Sequence, residues 1–217
     1  MCAETHGPEP AEKADEFQFT ADWFSANIPH WTRLFAEFLP HASRILEIGT
    51  YEGRSTAWLA ENAFMRGNGG SIFCIDSWSG GEEHDKARMA EVEGRFDHNR
   101  SVAEKRFPPT TIRKLKGQSH DQMIRLLAHE GRETFDFIYV DGSHQAPDVL
   151  GDLILAMMLC KPNGVIVCDD YLWGEGNENV LHRPKIAIDS FTNCFAGRIR
   201  VIYGFPLYQI HMIKTKN

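Results

Sequence analysis

Carboxylates sit where short apolar runs end in this sequence: Glu47, Asp76, Asp141 and the pair Asp169–Asp170. The first stands in Glu47-Ile-Gly49-Thr50-Tyr51-Glu-Gly53-Arg-Ser55-Thr56. Glycines at such a place allow a tight turn and close approach of a ligand to backbone. A carboxylate at Glu47 could pair with a ligand ammonium group. The spacing is neither the G-x-x-x-x-G-K-[ST] of a triphosphate loop nor the G-x-G-x-x-G of a dinucleotide fold, since Gly49 and Gly53 are separated by three residues. Taken alone, the two-glycine turn suits a plain strand-to-helix connection equally well.

Asp76 follows Gly53 by 23 residues, compatible with the ~20 expected for an acid that accepts hydrogen bonds from ribose hydroxyls. Together these motifs suggest an adenosine-containing ligand and do not require a pyrophosphate. Tyr139-Val-Asp141-Gly-Ser-His144 and Cys168-Asp169-Asp170-Tyr171 close two further runs. Open α/β sheets bind ligands beyond such strand ends. Three carboxylates converging there repel one another unless a cation or protons intervene. Oxygen-only ligands favour Mg²⁺, Mn²⁺ or Ca²⁺ over Zn²⁺. The alternative is that some of them cap helices or shape turns, above all Asp141 before Gly142.

The elements that must carry these groups alternate. Strands are predicted at Arg44–Ile48, Ser71–Ile75, Ile112–Lys116, Phe135–Val140 and Val165–Cys168, with helices at Gly53–Arg66, Asp121–Ala128 and Pro147–Leu159. That is a parallel sheet covered on both faces. Phe24, Ile28, Trp31, Phe35 and Phe38 repeat at helical spacing and predict two short helices broken near Asn27–Pro29. After a helix at Pro184–Asn193, the alternating runs Ile199–Tyr203 and Leu207–Ile213 flank Gly204–Pro206 and predict an antiparallel hairpin. Trp78–Arg106 is polar and weakly patterned, either a substrate lid or a solvated insertion. The acidic, proline-bearing residues 1–16 read as a mobile tail, and 17–217 as a single domain.

With 217 residues, 42% hydrophobic and 24% charged, the chain can build a real core. Its net charge of −7 and the lack of any Lys/Arg-dense stretch disfavour nucleic acid. The longest apolar run, Leu153–Cys160, is too short to span a membrane. Five cysteines without a C-x-x-C read as reduced residues of a cytoplasmic protein.

LEIGTYEGRST, CIDSW, GQS, YVDGSH and CDDY together resemble the class I S-adenosylmethionine-dependent methyltransferases. The closest likeness is to the metal-dependent small-molecule O-methyltransferases of the catechol, macrolide-sugar and rhamnosyl kind. The resemblance runs from about Phe24 onward and implies a doubly wound Rossmann-like α/β fold, a mostly parallel seven-stranded sheet with an antiparallel C-terminal hairpin strand. It implies that Glu47, Gly49 and Gly53, with Thr50, Tyr51 and Ser55 of the same turn, hold the methionine end of S-adenosylmethionine. Asp76 with Ser77 takes the ribose, Gln118 and Ser119 flank the adenine, and Asp141 borders the cofactor. Asp141, Asp169 and Asp170 ligate Mg²⁺ (or Mn²⁺ or Ca²⁺). The catechol enzymes have Asn in place of Asp170 and Lys in place of His144, so Asp170 points to the sugar-modifying branch.

The expected reaction is methyl transfer to a hydroxyl of a small molecule or sugar. His144, an imidazole titrating near neutrality, is the candidate base, with Asp141 able to serve as base as well as ligand. His120 and Trp173 are further site candidates, each also suited to surface or packing duty. Rival readings are a metal-independent methyltransferase and a non-catalytic nucleoside-binding module; a nicotinamide enzyme would want the absent G-x-G-x-x-G. Expected partners are the small-molecule acceptor and, as an open option, a second copy in a homodimer, with no nucleic acid and no membrane.

Overall fold

The computed structural model describes residues 15–64, 69–81 and 85–215. Its chain order is α1 (Ile28–Phe38), β1 (Arg44–Ile48), α2 (Arg54–Asn62), β2 (Ser71–Asp76), α3 (Met89–Arg106), β3 (Thr111–Lys116), α4 (Ser119–His129), β4 (Phe135–Val140), α5 (Ala146–Leu159), β5 (Cys160–Cys168), α6 (Pro184–Cys194), β6 (Ile199–Val201) and β7 (Ile210–Lys214). The seven strands form one sheet in the order β3-β2-β1-β4-β5-β7-β6. All pairs are parallel except β5–β7 and β6–β7. The predicted doubly wound sheet with its closing hairpin is therefore present.

Successive strand side chains point to opposite faces, and two cores result. Ile45, Ile72, Phe137, Tyr139 and Val167 join α1, α2 and α3 on one face. Leu46, Phe73, Ile138, Val140 and Ile166 join α4, α5 and α6 on the other. Trp31 is wholly buried at the centre of the first core. Its ring lies 4.8 Å from Phe24, 5.2 Å from Phe137 and 4.8 Å from Tyr139, all edge to face. Edge-to-face packing sets the positive rim of one ring against the negative face of the next.

The two short helices expected around Asn27–Pro29 are a 3₁₀ turn at Ser25–Asn27 and α1, with Pro29 in the first turn of α1. A proline there sacrifices only an N–H that would have no intrahelical partner. Two expectations need correction. The 78–106 segment is not a solvated insertion: α3 makes up most of it and packs Met89, Val92, Phe96 and Ala103 into the first core, while residues 82–84 lie outside the described residues. Met89, Val92, Phe96, Asn99 and Ala103 do recur at helical spacing and are buried, but the polar Asn99 and surrounding charges hide the stripe. The fifth strand starts at Cys160 rather than Val165, running through Pro162–Gly164.

Residues 1–14 of the expected tail, and residues 65–66 of the helix expected at Gly53–Arg66, lie outside the described residues. Asp15 and Glu16 are tied to α3: Lys105 Nζ is 2.6 Å from Asp15 Oδ1, and His98 Nε2 is 2.8 Å from the Glu16 carbonyl. Among the described residues no helix is long and apolar enough to cross a membrane.

Candidate active site

Strand order reverses between β1 and β4, where β2 and β3 lie to one side and β5 to the other. The loops leaving β1 and β4 must part there, which opens a crevice at the strand ends. The β1 loop is held by its neighbours. Gly49 N–H donates to the Ile75 carbonyl at 2.8 Å, and Asp141 N–H donates to the Ile48 carbonyl at 2.9 Å. Gly49 has φ +82°, and a Cβ there would meet the Asp141 carbonyl oxygen. Only glycine satisfies both conditions.

Asp76 braces the same loop. Its Oδ2 accepts the N–H groups of Thr50 and Tyr51 at 3.0 and 2.8 Å, and its Oδ1 accepts Trp78 N–H at 2.7 Å. Tyr51 and Trp78 carry positive φ values of 50° and 47°, so these bonds stabilise a turn that side-chain-bearing residues enter at a cost. Glu47 lies behind the loop and fully buried, its oxygens accepting the hydroxyls of Ser55 and Thr56. Burial pushes its carboxyl up to about 7, against the lowering effect of those hydroxyls. Glu47 thus supports the start of α2 from behind.

A small cleft opens in front of the loop, lined among others by Trp23, Gly49, Thr50, Tyr51, Tyr139 and Asp141. Ser55 lines it too. One wall is the segment before α1, fastened to the loop by Glu52. Glu52 Oε2 accepts Thr20 N–H at 2.6 Å, and Oε1 accepts the Thr20 hydroxyl at 2.6 Å and Arg95 Nε at 2.5 Å. Asn99 adds a second fastening: its amide nitrogen donates to the carbonyls of Gln18 and Glu52, both at 2.8 Å. Ser77 Oγ pairs with Ser79 Oγ at 2.7 Å just past β2. Gln118 precedes α4 and Ser119 opens it, beyond β3. These three stand on the β2–β3 side of the crevice, outside the lining of that cleft.

The acids gather on the other side. Asp169 Oδ2 accepts the Tyr139 hydroxyl and, at 2.9 Å, the Gln209 amide; Oδ1 accepts Asp170 N–H at 2.8 Å. Burial, then the neighbouring charge of Asp170, raises the Asp169 carboxyl above its ordinary range. Asp141 is raised well above, by burial first and then by the charges of Asp169 and Asp170. Asp170, at φ +59°, turns its Oδ2 to His144 Nε2 at 2.9 Å. The His144 ring stacks on Trp173 with centroids 4.1 Å apart. Tyr208 also faces Asp170, and burial followed by that charge pushes its hydroxyl up to about 12. His120 is elsewhere: its Nε2 lies 3.1 Å from the Asp148 carbonyl, bridging α4 to α5.

The donor set is all oxygen and over-rich in negative charge, which suits a divalent cation. As the side chains stand, no group of three His, Cys, Asp or Glu among the described residues converges on one point. Tyr139, Gln209, Glu52 and Trp23 belong to the site and were not singled out from sequence. Tyr139 had a signal, since the alternation of a strand puts it on the same face as Asp141. Gln209 had none.

The chain matches a family model described as methyltransferase domain over residues 46–171. No curated protein matches it. Among solved structures, an O-methyltransferase from Bacillus cereus in complex with SAH is similar, with a TM-score of 0.64 at 21% identity, over 91% of this chain and 84% of that one. TomG, an O-methyltransferase from Streptomyces achromogenes in complex with SAM, gives 0.59 at 22% identity, over 87% and 80%. MycE, a methyltransferase of the mycinamycin pathway in complex with Mg and SAH, gives 0.56 at 18% identity, over 90% of this chain and 51% of that one. At these identities the structural likenesses establish the fold.

Proposed function

Because the chain belongs to the methyltransferase domain family, we propose that it transfers a methyl group from S-adenosylmethionine to a hydroxyl oxygen of a small molecule or sugar. One observation carries this reading: the cleft before the Gly49 loop and the acids at the ends of β4 and β5 share Asp141. A cofactor held by Gly49, Thr50, Tyr51 and Ser55, with its nucleoside toward Asp76, Ser77, Gln118 and Ser119, supplies an electrophilic methyl group beside those acids. S-adenosylmethionine bound to similar folds, in TomG for example, supports the choice of cofactor.

His144 takes the acceptor proton. A neutral ring that donates Nε2–H to Asp170 carries its basic lone pair on Nδ1, and the Trp173 stack fixes the ring plane. Asp170 then stabilises the imidazolium as it forms. The rings of Trp23 and Tyr51, 5.0 Å apart, line the cleft and offer apolar surface to a bound cofactor. Asp141, Asp169 and Asp170 would hold a divalent cation, which supplies the charge that lowers the acceptor hydroxyl's pKa. The Mg bound to MycE supports that extension. The second reading is metal-independent transfer, favoured by the Asp170–His144 pair at 2.9 Å, a base already oriented by the protein alone.

Calorimetry with S-adenosylhomocysteine, and methyl transfer from labelled S-adenosylmethionine to a panel of catechols and deoxysugars, test the proposal. Binding with transfer to a hydroxyl is the expected result. A protein that binds neither cofactor form overturns it.

A further inference from the structure

Side chains from three remote parts of the chain form one hydrogen-bonded line that ends on Asp169. The Trp31 indole N–H donates to Gln209 Oε1 at 2.9 Å, and Gln209 Nε2 donates to Asp169 Oδ2 at 2.9 Å. The same amide nitrogen lies 3.4 Å from the Tyr139 hydroxyl. That hydroxyl gives its own proton to Asp169. Trp31 comes from α1 and Gln209 from the connection between β6 and β7, and both are buried.

A primary amide can stand either way round, but an indole nitrogen only donates. The Gln209 oxygen must therefore face Trp31, and its nitrogen must face the carboxylate. The reversed amide would set oxygen against oxygen at Asp169 and leave two buried donors facing each other at Trp31. Either mismatch costs more than an ordinary hydrogen bond supplies. With Asp170 N–H on the other oxygen, the Asp169 carboxylate has both oxygens oriented before any ligand arrives.

We infer that Gln209 is a positioning residue for Asp169, and that Trp31 acts through it by fixing the direction of its amide. The inference rests on the reading of Asp169 as part of the reaction centre. It assigns a role in methyl transfer to an indole that, by its packing, looks like plain core.

The test is a double-mutant cycle in the full chain, with Trp31→Phe, Gln209→Leu and the pair. Three readouts are taken: kcat and KM with an acceptor from the panel, binding of Mn²⁺ alone by electron paramagnetic resonance, and S-adenosylhomocysteine affinity. Gln209→Leu is expected to lower kcat about tenfold and weaken Mn²⁺ about fivefold, with S-adenosylhomocysteine held within about twofold. Trp31→Phe should give part of the same loss, and the pair should be no worse than Gln209→Leu. A pair that shows the product of the two separate losses makes Trp31 a packing residue and overturns the inference. So does a Trp31→Phe variant with wild-type kcat and Mn²⁺ affinity; this variant keeps an aromatic ring in the core, and decides the matter even where Gln209→Leu does not fold. A wild-type protein that transfers methyl groups without binding Mn²⁺ removes the cation from the proposed function, and the cycle is then read in kcat. If no panel compound is methylated, it is read in Mn²⁺ affinity.

Discussion

A Cβ at position 49 would stand 1.9 Å from the carbonyl oxygen of Asp141. The loops that follow β1 and β4 are thus packed backbone against backbone. Gly49→Ala adds a steric overlap to a backbone held at φ +82°. It should cost roughly 3–5 kcal/mol, the range of a strained, overpacked site. Urea unfolding measures it; a variant within about 1 kcal/mol of wild type would mean the two loops are not packed this closely.

Glu47 gives a pH signature. Its folded carboxyl titrates at about 7 against an ordinary 4.5. Between those values the folded state binds more protons than the unfolded one, so this group's contribution to stability falls as pH rises from 4.5 to 7 and is flat above. Glu47→Gln keeps an acceptor for one of the two hydroxyls, offers an amide N–H to the other, and removes the charge. Its stability relative to wild type should therefore be higher by about 1–3 kcal/mol at pH 8.5 than at pH 4.5. Melting curves at the two pH values check this, and parallel shifts at both would contradict a raised Glu47.

Asp76→Ala should weaken S-adenosylmethionine by ~1–3 kcal/mol, the cost of charged hydrogen bonds left unmade. The structure adds a route for that loss, because the carboxylate organises the N–H groups of Thr50, Tyr51 and Trp78. Calorimetry on the folded variant reads it. Unchanged affinity would take Asp76 out of the site.

His144→Gln should lower kcat by about 10²–10⁴-fold, the usual contribution of a positioned base, with KM and cofactor affinity little changed. Asp170→Asn should lower kcat less, since an amide oxygen still accepts from Nε2. Steady-state kinetics with a genuine acceptor decide; a fall confined to KM would make His144 a binding residue.

EDTA should abolish methyl transfer while S-adenosylmethionine affinity stays within about tenfold, ~1.4 kcal/mol. Mg²⁺ or Mn²⁺ should restore it. Asp169→Asn should raise the concentration of cation required, because the amide loses the attracting charge. Full activity in EDTA would select the metal-independent reading.

The residues that lie close in sequence to the ligand loops were the legible ones. Gly49, Asp76, Asp141 and Asp169 each end a strand whose apolar run is visible, so their gathering at the carboxyl ends of the strands follows from the alternation of strands and helices. What each carboxylate does there was less legible. Asp76 and Glu47 carry much of the loop's internal bonding, and nothing in a motif separates a ligand acceptor from a backbone brace. α3 was hidden because its buried face includes Asn99, which serves the segment at Gln18, 81 residues away. Gln209 was hidden for the same reason: its partners Trp31 and Asp169 are 178 and 40 residues away. Contacts of that range are fixed by topology, which local patterning does not encode.

The position of β7 also bears on how the molecule assembles. β6 precedes β7 in the chain but lies outside it, with β7 as the neighbour that joins it to the sheet. During synthesis Ile199–Val201 therefore emerges with no strand to pair with, and waits until Ile210–Lys214 has followed and closed on β5. The β6–β7 pairing is local, Val201 to Met212, and the β5–β7 pairing joins Cys168 to Ile210, so β7 carries β6 onto the sheet. Gln209 is the residue just before β7, so Asp169 gains this donor only when β7 is in place. A nascent or nicked chain with β1–β5 already paired would carry the cofactor loop but not a finished reaction centre, and S-adenosylmethionine binding would appear before the capacity to turn it over.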